Sequence, residues 1–390
     1  MKKIFYLLFL VLVVFGFELK SQSVTDEEIT YKYKKLPANP VPKSVKSYEP
    51  NIIMTYEDED RRKLEEYNAK SIEADSTYKK SLAEYKNTSF GDKFAAKLIG
   101  QDDGKPVKEF IEKPYTRKIY DKELIASQMK FEGYDKANPG DIKITYTIHG
   151  IEYTDYKMNE SGSISTDKKK YSISFKYRSP ISIKVETEDG RLIINEVVPA
   201  TNEYKNYSGS SYESQSLASE KSGPLAFLST VDQKMVDDNI KLANLYLSDR
   251  CGFTNTTRKT RLYSVKSKKD MDFTDYQNAY LSAMEGYFLL VDNLEEGLNK
   301  IKSSIKIWEE SIKDFKIGDN STRINDEVFV ATVFNLAEAY VTINEYSKAK
   351  LIIAKAKTMD LSKKEMKRME EIKTFSDQQQ ERYEANNSTE

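Results

Sequence analysis

The chain has 390 residues, with 61 Lys and Arg against 62 Asp and Glu and a formal charge of -1, so it exerts no net electrostatic pull on nucleic acid or an anionic membrane. It holds one histidine, His149, and one cysteine, Cys251. A disulfide within the chain is thereby excluded, the usual His/Cys zinc sites lack their ligands, and any Ser-His or Cys-His catalytic pair has to be built on His149.

Residues 1–21 read as an export signal: Lys2 and Lys3 precede an apolar run from Ile4 to Phe17, and Leu19-Lys20-Ser21 offers a cleavage site. The run is shorter than the roughly 18 residues that span a bilayer, and a polar stretch follows, so no membrane span is expected once the signal is removed. No Cys lies near the end of the signal to carry a lipid. The expected location is therefore exported: periplasmic, associated with the outer membrane, or secreted.

Residues 22–54 contain Pro37, Pro40, Pro42 and Pro50 and read as an extended segment serving as linker, strap or tail. Residues 55–107 read as a helical segment. Its stripe of Leu64, Tyr67, Ala74, Tyr78, Leu82 and Tyr85 predicts a long amphipathic helix, and Glu57 to Asp60 suit the positive end of its dipole. That acidic cluster lacks the ligand spacing of a calcium loop. Gly91, Gly100 and Asp102-Asp103-Gly104 mark loops around an apolar patch, Phe94 to Ile99.

In residues 108–222 the period changes to two. Ile142, Ile144, Tyr146 and Ile148 alternate with polar neighbours, as do Tyr171, Ile173, Phe175 and Tyr177, then Ile181, Ile183 and Val185. Asp189-Gly190 supplies a hairpin turn before Leu192 to Val198. With no helical crossover in this pattern, an antiparallel β-sandwich-like domain is expected. Asn202 to Ser222 reads as a loop with no phosphate-binding signature. His149 falls on the polar side of its strand, as an exposed strand-end residue.

Residues 223–270 read as a helix-plus-strand connector. The helix stops near Cys251-Gly252, and the strand Thr260 to Lys266 closes or edges the β-domain. Residues 271–376 carry helical stripes: Tyr280, Ala283, Met284 and Tyr287, then Leu294, Gly297, Ile301, Ile305, Trp308 and Ile312. The next stripes are Phe334, Leu336, Ala337 and Tyr340, then Tyr346, Ala349, Ile353 and Ala356 across a turn at Ile343-Asn344-Glu345. Ser362 and Glu365 form a capping box for a last helix, and residues 377–390 read as a disordered tail.

The stretch from Val330 to Leu361 resembles a tetratricopeptide repeat, a helical hairpin of about 34 residues. Val333 or Phe334, Leu336, Ala337, Tyr340, Tyr346, Ala349, Ile353 and Ala356 match that order, with Ala337 where the family has Gly and Leu361 where it has Pro. The helices before it resemble a degenerate unit, Tyr287 corresponding to Tyr340 and Gly297 to Ala349. The chain as a whole resembles exported tetratricopeptide proteins of Bacteroidetes-type bacteria. The fold class expected is α+β, the β-sandwich-like domain preceding a C-terminal helical-hairpin array.

What the resemblance implies is binding of a protein or peptide, such as part of an envelope complex, in the concave face of stacked hairpins. Helical phase puts Gln277, Glu285, Asn335, Glu338, Ala339 and Thr342 on that face. No catalytic residue, cofactor or metal ligand is expected, and the chain reads as a non-catalytic binding or scaffold protein. The alternatives are glycan binding, as in starch-uptake lipoproteins with tetratricopeptide helices, and a glycosidase with two carboxylates about 5 to 9.5 Å apart.

Overall fold

The computed structural model describes residues 23–87, 105–111, 113–162, 169–267, 271–319 and 321–388. The expected export signal and the apolar patch at Phe94 to Ile99 lie outside the described residues. In chain order the elements are β1 (Ser23–Lys35), β2 (Ser47–Met54), α1 (Glu57–Asn87), α2 (Lys122–Gln128), β3 (Asp135–Lys136), β4 (Ile142–Ile148), β5 (Glu152–Gly162), β6 (Lys169–Arg178), β7 (Ile181–Thr187) and β8 (Leu192–Val197). They continue with α3 (Pro199–Asn202), β9 (Lys205–Ser208), α4 (Gln215–Ser222), α5 (Pro224–Cys251), β10 (Thr254–Lys266), α6 (Thr274–Leu289), α7 (Leu294–Ser311), α8 (Asp326–Thr342), α9 (Tyr346–Ala356) and α10 (Lys363–Ser388). The fold class is mixed α+β, with sheets first and helices last.

Two compact units emerge, one contiguous, residues 44–247, and one split, residues 1–43 with 248–390. In the contiguous unit, strands β3-β2-β4-β7-β8 form one sheet and β5-β6-β9 another. The alternation on β4 and β7 follows burial, because Ile142, Ile144, Tyr146, Ile148, Ile181, Ile183 and Val185 are all sealed from solvent. Helix α5 is tied to this sheet by polar contacts: Asn239 Nδ2 donates to the Ser179 carbonyl at 2.6 Å, and the Tyr146 hydroxyl to Asn244 Oδ1 at 2.9 Å. On the smaller sheet, Phe175, Tyr177 and Tyr207 gather around Phe227 of α5.

Three expectations are corrected here. The sheet is not wholly antiparallel: β2 runs parallel to β4, and the chain between them includes α1 and α2. β2 itself arises from the Pro-punctuated segment read as an extended linker. Pro50 is tolerated because β3 reaches only Ser47 and Tyr48, so beyond them β2 has a strand on one side alone. The stretch read as a loop from Asn202 to Ser222 contains β9 and α4, the latter capped by Ser214, whose side chain accepts from the Leu217 N–H.

The long helix expected after residue 55 is α1, and only Asp60 and Ala74 along it are buried. Asp60 accepts from the Arg117 main-chain N–H at 2.7 Å and from Arg117 Nε at 3.0 Å. The acidic helix start is thus a receptor for one arginine, which holds the Asp60 carboxyl below its usual range against the opposing effect of burial.

In the split unit, β1 pairs antiparallel with β10 over its whole length, from Ser23 opposite Lys266 to Lys35 opposite Thr254. Contrary to expectation, β10 does not close or edge the described sheets of the contiguous unit; its partner is β1, from which the whole contiguous unit separates it in sequence. Helices α6 and α7 form one hairpin and α8 and α9 a second, whose turn places Asn344 at φ 64°, a left-handed conformation that Asn accepts. Gly286 and Gly297 bring α6 and α7 close together: a Cβ on Gly297 would lie 2.8 Å from the Gly286 carbonyl oxygen. α8 is buried on all sides, every residue from Val328 to Val341, which marks it as the unit's central element.

The capping box forms at α10, where the Ser362 N–H donates to Glu365 at 2.8 Å and the Glu365 N–H to Ser362 Oγ at 3.3 Å. α10 then runs to Ser388, correcting the expected disorder from residue 377. Its polar end is held by contacts that composition does not reveal: Arg382 donates to the Leu36 carbonyl at 2.7 Å and to Asp249, and Tyr383 packs on Tyr346.

Candidate functional site

The face of α8 that helical phase assigns to a partner is covered by the β1–β10 ribbon. Asn335, fully buried, accepts from the Tyr263 N–H at 2.9 Å and donates to the Tyr263 carbonyl at 2.8 Å. One turn on, Glu338 is equally buried, and both its oxygens are engaged. Arg258 of β10 bonds to each of them, with Nη2 to Oε2 at 2.9 Å, and Arg368 of α10 reaches Oε2 at 3.1 Å. The Tyr31 hydroxyl of β1 donates to Oε1 at 3.4 Å.

Burial pushes the Glu338 carboxyl up, and the Arg258 charge, then that of Arg368, more than reverses this, so its pKa lies below the usual value. The same burial pushes the Tyr31 hydroxyl well up. Glu338 is therefore an ionised, ion-paired anchor with no proton to give. The Arg258 guanidinium also lies over the Phe375 ring, 3.5 Å from its centroid, which fixes the cation between a carboxylate and an aromatic face.

Beside this anchor the packing is incomplete. A cavity of about 300 Å³ lies between the ribbon and the helices, walled by Tyr31 and Tyr33 of β1, Leu290 and Leu298, Val341 of α8, and Phe375 of α10. Lys34, Thr342, Asn344 and Gln379 add polar groups to its lining. A mostly apolar concavity with a few polar groups is the usual form of a small binding site.

Of the six residues expected on the concave face, Asn335, Glu338 and Ala339 are internal, engaged by the chain itself, and this corrects their assignment to a partner. Thr342 reaches the cavity lining, its hydroxyl donating to the Glu338 carbonyl at 2.9 Å. Gln277 is half-buried on α6, and Glu285 is exposed and ion-paired with Lys300 at 3.0 Å. Sequence reasoning missed Tyr31 and Tyr33, which sit in a stretch overshadowed by prolines, although Ile29, Tyr31 and Tyr33 do alternate with polar residues. It also missed Phe375 of the last helix as a wall, because helical spacing identifies a core face without saying what meets it.

No protein-family model matches this chain, and comparison with curated proteins and with solved structures gave no match either. The site has to be read from its own chemistry.

His149 is half-buried, and its Nε2 lies 2.7 Å from Ser182 Oγ. Among the described residues no carboxylate bonds its other ring nitrogen, so the third member that orients a catalytic imidazole is not assembled there. Cys251 is fully buried at the end of α5. Burial raises the Asp232 carboxyl, but the groups acting on it are Tyr120 and Lys118, with no second carboxylate among them. No cluster of three or more His, Cys, Asp or Glu with metal-holding geometry occurs among the described residues, and no described helix is long and apolar enough to cross a membrane.

Proposed function

We propose that this chain is a non-catalytic binding protein of a bacterial cell envelope, whose tetratricopeptide-like helices take a protein or peptide partner at the cavity of the split unit. The observation that carries this reading is the cavity itself, an unfilled space of about 300 Å³ between aromatic and aliphatic walls. Its size suits one or two apolar side chains of an extended peptide, each contributing about 1.5–3 kcal/mol when buried. Asn344, Thr342 and Gln379 would meet main-chain amides alongside. The envelope location rests on the apolar leader at residues 4–17.

Leu294 lines the cavity and is 55% exposed at the start of α7, so Leu294→Glu adds charge there while remaining compatible with a helix N-terminus. Capture from an envelope fraction with the native chain and with Leu294→Glu tests the proposal. A protein retained by the first and lost by the second supports it; an identical set from both would refute it. Retention of the native chain on an immobilised glycan, with no protein captured, favours the glycan reading.

A further inference from the structure

Among the described residues the β1–β10 ribbon is a two-stranded sheet, so neither outer edge pairs with a further strand; that of β10 meets Asn335 of α8, and that of β1 is open. Which main-chain groups lie on that edge follows from Asn335. Its amide bonds both the N–H and the carbonyl of Tyr263, so both point away from β1. Tyr263 stands opposite Asp26, and in an antiparallel ladder opposed residues either both pair inward or both turn outward. The peptide groups of Asp26 therefore point away from β10, and because the register is unbroken, so do those of Glu28, Thr30, Lys32 and Lys34. Among the described residues no hydrogen bond reaches them. The side chains of Glu28, Thr30, Lys32 and Lys34 are exposed.

An edge of this length is a template for another strand unless charge repels one. Here the charges are ordered. Along the exposed face the side chains run Asp26, Glu28, Thr30, Lys32, Lys34, acids on one side of Thr30 and bases on the other. The complement of that order is the same strand reversed. We propose that two copies of this chain join antiparallel through β1 about a two-fold axis at Thr30, giving a continuous four-stranded sheet β10-β1-β1-β10.

In that register Glu28 meets Lys32 of the second copy and Asp26 meets Lys34, each pair occurring twice. About ten main-chain hydrogen bonds form across the seam. Sliding the copies by two residues leaves two acid–base pairs where the proposed register has four, sliding by four sets Glu28 against Glu28, and parallel pairing sets acid beside acid, so the charge order favours this arrangement. Within the chain Glu28 already holds Lys259 at 2.8 Å and Asp26 holds Arg261 and Lys364, whereas Lys32 makes no ion pair among the described residues. Lys32 is thus the cation with most to gain from the second copy.

Sedimentation equilibrium of the purified protein across a concentration series tests this, with circular dichroism confirming that each variant is folded. The native chain is expected to dimerise. Lys32→Glu, which sets one glutamate of each copy opposite Glu28 of the other, is expected to weaken the dimer about tenfold or more, and adding Glu28→Lys to it to restore the dimer. T30C is expected to give a disulfide-linked dimer under mild oxidation, since residues opposed in a hydrogen-bonded pair have Cα atoms about 5.5 Å apart. The endogenous Cys251 is buried. A native chain that stays monomeric throughout, a dimer indifferent to Lys32→Glu, failure of the reversed pair to restore it, or a T30C chain that does not cross-link would each overturn the proposal.

Discussion

Asn335 clasps the main chain of Tyr263 on both sides of one residue, its amide oxygen taking the N–H at 2.9 Å and its amide nitrogen giving to the carbonyl at 2.8 Å. A primary amide presents a donor and an acceptor side by side, as a neighbouring strand would, so α8 pairs with the outer edge of β10 at a single point. Removing that side chain leaves two part-buried peptide groups of Tyr263 without their partner. Asn335→Ala is expected to cost about 2–4 kcal/mol, seen as a lower urea midpoint at unchanged slope. Asn335→Asp should fall in the same range, because a carboxylate can accept from the N–H but opposes the carbonyl.

Glu338 makes the stability of the split unit depend on pH. Its folded-state pKa lies below the ordinary value of 4.5, with burial opposing the shift and Arg258, then Arg368, imposing it. The unfolded chain therefore takes up the proton first: the stabilisation is complete above about pH 4.5 and is lost as pH falls through the folded-state value. Glu338→Gln should cost about 3–5 kcal/mol near neutrality by leaving two buried guanidinium groups short of a partner. It should also flatten the decline in unfolding free energy below about pH 5. An unchanged acid limb in this variant would place the dependence elsewhere.

The contact of Gly286 with Gly297 sets how closely α6 and α7 approach. A methyl group on either would sit 2.7–2.8 Å from the carbonyl oxygen of the other, a main-chain atom that cannot swing aside. Gly297→Ala should lower stability by about 1–3 kcal/mol although alanine is the better helix former, while Leu351→Ala on the exposed face of α9 should change it by less than about 0.5 kcal/mol. Thermal melts of the two variants provide the comparison.

Trp308 is the only tryptophan and is fully buried in the split unit. Its emission should be blue-shifted and poorly quenched by acrylamide in the native protein. Deleting residues 1–35 removes β1, and with it Ile29 and Tyr31 from the same core cluster. The expected result is a red shift of the Trp308 emission to that of an opened core.

Periodicity made much of this architecture legible before any coordinates. Ile142 to Ile148 and Ile181 to Val185 announced buried strands, and Phe334 to Tyr340 with Tyr346 to Ala356 announced a helical hairpin, because a buried face imposes its period on the residues that fill it. Partnership between distant segments left no such trace. Nothing local in Ser23–Lys35 says that its mate begins at Thr254, and Pro37 to Pro50 masked the short runs on either side. Of the six residues assigned to a concave face, Asn335, Glu338, Ala339 and Thr342 lie on α8, and phase tells only which side of that helix each occupies. It could not say that the chain's own ribbon fills that side, which left the cavity walled partly by Tyr31 and Tyr33 unforeseen.

The pairing of Ser23 with Lys266 also imposes an order of events. In a growing polypeptide β1 emerges well before its mate and the described helices that follow it, which appear only after the whole of residues 44–247 has been made. The first strand must wait, with its aromatic residues in water, while the intervening unit completes itself. Whatever shields Tyr31 and Tyr33 during that interval decides the yield of folded molecules, and slower elongation through residues 44–247 would lengthen the wait.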